Sequence, residues 1–114
     1  MSNTYSIAHL AASAYLNGKG MGKVSSAFTC DEGAADMVTT DGDATVLVMV
    51  TAKRKRCDEK PPEFNAGKLQ RIAMCYLVGH PDVSKLRFDV LEVLIGSNAT
   101  ATVCAAEGAY AWER

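Results

Sequence analysis

The stretch Gly33-Ala34-Ala35-Asp36-Met37-Val38-Thr39-Thr40-Asp41-Gly42-Asp43-Ala44-Thr45-Val46-Leu47-Val48-Met49-Val50-Thr51 decides the fold. Ala34 to Thr39 and Ala44 to Ala52 flank a short Asp-Gly turn, and Gly42 takes positive φ without a steric penalty, so the two runs read as a β-hairpin. The second run is apolar on both parities through Val50. Such a strand is covered on both faces, which places it centrally in a sheet with helical layers on either side.

Working outward, Ser6 is placed to cap a helix in which Ile7, Leu10, Ala11, Ala14 and Tyr15 recur at three- and four-residue steps, with Asn17-Gly18 as the stop. Between Met21 and Cys30, the residues Val24, Phe28 and Cys30 share a parity that suits a half-buried strand. After the hairpin, Lys53-Arg54-Lys55-Arg56 and the proline-bearing segment Cys57 to Glu63 read as a strand end and an exposed loop. Asn65 is placed to cap a second helix with the stripe Leu69, Ile72, Ala73, Tyr76 and Leu77, closing near Gly79 before Pro81. Leu86 to Ile95 returns to strand character. Gly96-Ser97-Asn98 marks a turn, Thr100 to Ala105 a short last strand, and Gly108 to Trp112 an aromatic tail that packs back onto the body. The order helix, three strands, helix, two strands predicts an α/β domain with a mixed central sheet flanked by helices, the second helix crossing from the meander to a later strand.

A chain of 114 residues is expected to form one domain spanning 1–114. Its 48% hydrophobic and 22% charged residues are those of a packed globule. The formal charge of -1 supplies no global field toward DNA or a membrane, so any nucleic-acid affinity has to come from a local patch. The longest apolar run, Val46 to Val50, is far below the roughly 20 residues that cross a bilayer, and the polar start lacks a signal-peptide charge pattern; a soluble, cytoplasmic protein is expected. Cys30, Cys57, Cys75 and Cys104 form no Cys-x-x-Cys pair, and His9 and His80 have no ligand spacing to them, so the thiols read as buried or idle rather than zinc-binding.

Several segments match a known pattern in order and spacing. They are Ala8-His9-Leu10-Ala11-Ala12-Ser13-Ala14-Tyr15-Leu16, then Gly33 to Val38, then Asp41-Gly42-Asp43 followed by Val46 to Thr51, then Lys68 to Leu77, Arg87-Phe88-Asp89-Val90 and Gly108-Ala109-Tyr110. Together they resemble the small bacterial YraN-like family, uncharacterised proteins placed with the restriction-endonuclease-like superfamily. The resemblance implies a restriction-endonuclease-like αβββαββ fold and a nuclease centre in which carboxylates hold Mg²⁺ or Mn²⁺ against a phosphate and a lysine steadies the developing charge. In the family, glutamates stand where this chain has His9, Ala34 and Met49, and a lysine stands at Thr51. Only Asp36 is kept. A thioether is a soft ligand for a hard ion, and alanine is no ligand.

Three readings follow. The favoured one is a catalytically degenerate endonuclease-fold protein without a cofactor, which binds nucleic-acid backbone nonspecifically through a basic strip of Lys53, Arg54, Lys55, Arg56, Lys68 and Arg71. The enzyme alternative is a metal-dependent nuclease with a displaced centre, in which Asp36 and Glu32 hold the metal and Lys53, about 7 Å beyond Thr51 on the same strand parity, replaces the lost lysine. The third is an interaction module, including a homodimer. Bland roles compete at each position: Asp36 as a strand-end acid held by backbone donors, His9 as an exposed helix residue, Met49 as core filler, and the basic run as a solvated strand end.

Overall fold

A computed structural model describes residues 3–22, 25, 27–54, 62–96 and 100–114. Helix α1 (Asn3–Gly18) is followed by β1 (Phe28–Cys30), β2 (Gly33–Ala35), β3 (Met37–Asp41), β4 (Ala44–Arg54), α2 (Ala66–Gly79), β5 (Lys85–Ile95) and β6 (Ala101–Glu113). Strands β3-β4-β5-β6 form a mixed sheet in that order, and β1 and β2 form a small antiparallel sheet beside it. Among the described residues no helix is long and apolar enough to cross a membrane.

The hairpin forms as its sequence predicts, with Met37 opposite Val48 and Asp41 opposite Ala44, and Gly42 at φ 62° in the turn. Strand β4 then pairs in parallel with β5 over ten residues, from Thr45↔Leu86 to Arg54↔Ile95. That pairing requires a crossover, and α2 lies within it. Side-chain alternation along β4 divides the core in two. Val46, Val48 and Val50 pack with Ala8, Ala12 and Leu16 of α1 and with Leu91 and Val93. Leu47 packs with Leu69, Ile72 and Ala73 of α2 and with Leu86, Phe88 and Val90. The central strand is apolar on both parities because helices cover both faces.

Helix α2 has the predicted cap: the Asn65 side-chain oxygen accepts from the Lys68 backbone N–H at 3.1 Å. Its predicted stripe is the face that packs on the sheet. Helix α1 departs from expectation. It begins at Asn3, so Ser6 lies inside it and is not its cap. Its buried face is Ala8, Ala12 and Leu16, whereas Leu10 is 73% exposed and Ile7 is 40% exposed. Both faces have helical period, and the sheet selects the one whose alanines let the helix backbone approach closely.

Three further boundaries differ. The predicted strand Ala34 to Thr39 is broken at Asp36 into β2 and β3. The predicted strand between Met21 and Cys30 reduces to β1 and a single bridge from Ser25 to Val38, and Val24 lies outside the described residues. The last strand does not stop at Ala105; it runs on to Glu113, so the aromatic tail is part of the sheet. Its interruption is a bulge, in which the one residue between Phe88 and Val90 faces the three between Ala106 and Tyr110.

Asp89 stabilises that bulge. It is 1% exposed, accepts the Gly108 N–H at 2.9 Å, and takes a two-pronged contact from Arg87, with Nε to Oδ1 at 2.8 Å and Nη2 to Oδ2 at 3.0 Å. Arg87 also reaches Asp41 at 2.9 Å, tying β5 to the far strand β3. Burial works against the Arg87 charge, but hydrogen bonds to Asp89 and Asp41 outweigh it and hold the guanidinium pKa above its ordinary value.

Candidate functional site

Strands β4 and β5 are parallel and share a C-terminal end. Only five residues separate the end of α2 from the start of β5, which places the helix C-terminus near the N-terminal end of the sheet. A helix of that length runs about 20 Å back, so its first turns lie at the C-terminal end of β4. Ligands of open α/β sheets bind at this end.

Asp36 stands here, at the break between β2 and β3. Strand β3 begins pairing at Met37↔Val48, so Val50 lies beyond it with no strand opposite on that side. The Asp36 carboxylate takes the place of the missing strand: its Oδ2 accepts the Val50 N–H at 2.7 Å. The other oxygen lies 3.7 Å from His9 Nε2, which α1 carries to the same point. Met49 and Thr51 flank Val50 but project to the α2 face of β4, opposite the face on which α1 packs, so of the five positions matched to the family's charged residues the contact joins His9 and Asp36. Ala34 lies two residues before Asp36, on the small sheet opposite Thr29, and is exposed. Met49 is half-buried against the α2-side core and Thr51 is exposed.

The residues present do not fit a hard divalent ion. Among the described residues no three His, Cys, Asp or Glu side chains are grouped so as to hold a metal. Glu32 is engaged elsewhere, with its Oε1 2.9 Å from Arg71 Nε. Lys53 is likewise engaged: its Nζ lies 3.1 Å from Glu92 Oε2. Parallel pairing puts Glu92 beside Thr51 on the α2 face, and at 7% exposed its carboxylate depends on the more exposed ammonium of Lys53. Glu92 was not among the residues singled out in the sequence. Its position among Val90, Leu91, Val93 and Leu94 reads as a strand buried throughout, and nothing local marks its pairing with β4.

The described residues predicted to form the basic strip lie on two elements. Lys53 and Arg54 end β4 and are exposed; Lys68 and Arg71 lie on the first turns of α2 and are exposed. Lys55 and Arg56 lie outside the described residues. Among the described residues Arg54 and Lys68 carry no ion pair, whereas Lys53 and Arg71 are shared with Glu92 and Glu32. The stem of Lys68 lies over Gly33: a Cβ added there would come 3.0 Å from Lys68 Cε and 3.0 Å from Ile72 Cδ1. The β1–β2 hairpin is thus pressed onto α2, and its turn presents Glu32 to Arg71. No protein-family model and no curated protein sequence matches this chain.

Proposed function

We propose that this chain is a restriction-endonuclease-like domain that has given up metal-dependent cleavage and binds nucleic-acid backbone through cations at the C-terminal end of β4. The observation that carries this reading is the meeting of His9, Asp36 and Val50. Two positions expected to be charged, His9 and Asp36, meet there, and the one carboxylate kept serves the sheet. Arg54 and Lys68 support the binding half, since each is exposed and without an ion pair among the described residues, and each sits at the ligand-binding end of the sheet.

Such contacts carry no base-reading code. Binding is therefore salt-sensitive and indifferent to sequence, weakening by close to one unit of log-log slope for each phosphate neutralised. Gel shifts at low salt with duplex, single-stranded and branched DNA test this. The combined variant Arg54→Ala, Lys55→Ala, Arg56→Ala, Lys68→Ala is expected to weaken binding and flatten its salt dependence. Lys53 is left intact because its removal strands the Glu92 carboxylate. Failure of the wild type to shift any of these DNAs, or equal binding by the variant, defeats the binding half. For the ancestry half, Ala34→Glu, Met49→Glu, Thr51→Lys is expected to bind Mn²⁺ by calorimetry where the wild type does not.

A further inference from the structure

Cys30 and Cys75 lie far apart in sequence, on two elements whose flanking residues are in contact. Both are reduced and half-buried, Cys30 on β1 and Cys75 on α2. Three contacts fix the hairpin on the helix around them. Two residues before Cys30, the Phe28 ring meets Tyr76 edge-on with centroids 5.0 Å apart. Two residues after it, Glu32 is paired with Arg71, one helical turn before Cys75. Directly opposite Cys30 in the small sheet is Gly33, which rests on Ile72, three residues before Cys75. Cys30 is the neighbour that most strongly raises the Cys75 thiol pKa.

We propose that Cys30 and Cys75 form a reversible dithiol–disulfide site whose oxidation fastens the β1–β2 hairpin to α2. The oxidant is a low-molecular-weight disulfide such as oxidised glutathione. One cysteine thiolate attacks it and releases one glutathione thiol; the second cysteine then displaces the other, so the two protein thiols lose two protons and two electrons and two glutathione thiols are formed. The neighbouring Cys30, burial, and the nearby carboxylates of Glu32 and Asp31 hold the Cys75 thiol to its proton, so its pKa is raised and oxidation accelerates with rising pH.

The experiment uses the whole folded chain, equilibrated in glutathione buffers of increasing oxidised fraction, then alkylated and mapped by mass spectrometry without reduction. The expected result is loss of two of the four cysteine thiols and a peptide pair joining Cys30 to Cys75. Closing a loop of that length is expected to raise the thermal midpoint by on the order of 10 °C, reversed by a dithiol reductant. Cys75→Ser should retain the reduced protein's midpoint and lose the oxidised increment. A wild type that keeps four alkylatable thiols at the most oxidising ratio overturns the proposal, as does a bond from either residue to Cys57 or Cys104. Formation of the Cys30–Cys75 bond only in denaturant overturns it too. The wild-type map decides the matter even if Cys75→Ser fails to fold.

Discussion

Replacing Asp36 by alanine removes the acceptor that stands in for a strand. In the wild type the Val50 N–H, on a residue only 5% exposed, meets a charged oxygen at 2.7 Å. A hydrogen bond to a charged group is worth about 1.5–3 kcal/mol, and stranding a buried donor lies in the same range. The Asp36 side chain is 22% exposed, so water recovers part of that loss, and a net cost of about 2 kcal/mol follows. For a domain of this size that lowers the thermal midpoint by roughly 8 °C. Asp36→Asn keeps an amide oxygen for Val50 without the charge and should recover about half of the loss. The assay is thermal and urea unfolding of the three proteins, each with and without Mg²⁺; the urea midpoint should fall at constant slope. An alanine variant as stable as the wild type would refute this assignment. So would a wild type stabilised by Mg²⁺ through Asp36, because the carboxylate would then be a metal ligand first.

Asp89→Ala should cost about 3–5 kcal/mol in urea unfolding, since it breaks a buried ion pair and strands the Gly108 N–H together. Lys53→Ala should destabilise the chain by leaving the Glu92 carboxylate buried and unpaired, while adding Glu92→Leu should restore wild-type stability or exceed it; a double variant no better than the single would refute this. On α1, Leu10→Lys should change stability by less than about 0.5 kcal/mol, whereas Ala12→Leu should cost about 1–3 kcal/mol by pushing the helix off the sheet. Alkylation of Cys75 should lag that of an unstructured cysteine at neutral pH and catch up as pH rises through its raised pKa, followed by peptide mass spectrometry.

The hairpin, the capped second helix and the crossover were legible because each had a local cause: Gly42 in its turn, Asn65 at its cap, a strand apolar on both sides. The buried face of α1 was not, because alanine is weakly apolar and Leu10 outweighs it in any periodicity count. What settles the choice is closeness to the sheet, a property of two elements together. The break at Asp36 was hidden for a similar reason. Ala34 to Thr39 looks continuous until it is known that Val50 extends past β3 and needs an acceptor. The reading of Asp36 as a strand-end acid held by a backbone donor describes its observed contact. Glu92 and the Cys30–Cys75 pair depend on strand register and helix docking, which no spacing along one segment reveals.

The bulge in β6 fixes a counting rule for this part of the chain. Three residues fill the space opposite Asp89 where regular pairing would need one, and the surplus of two returns Tyr110 and Trp112 to the same side as Ala106. With the Val90↔Ala106 pairing kept, losing one residue between Ala106 and Tyr110 would turn both rings toward the opposite layer and bring Ala111 and Glu113 into their places. Insertions and deletions there are compatible with this core only in pairs, so homologous chains should differ in length at that point by even numbers.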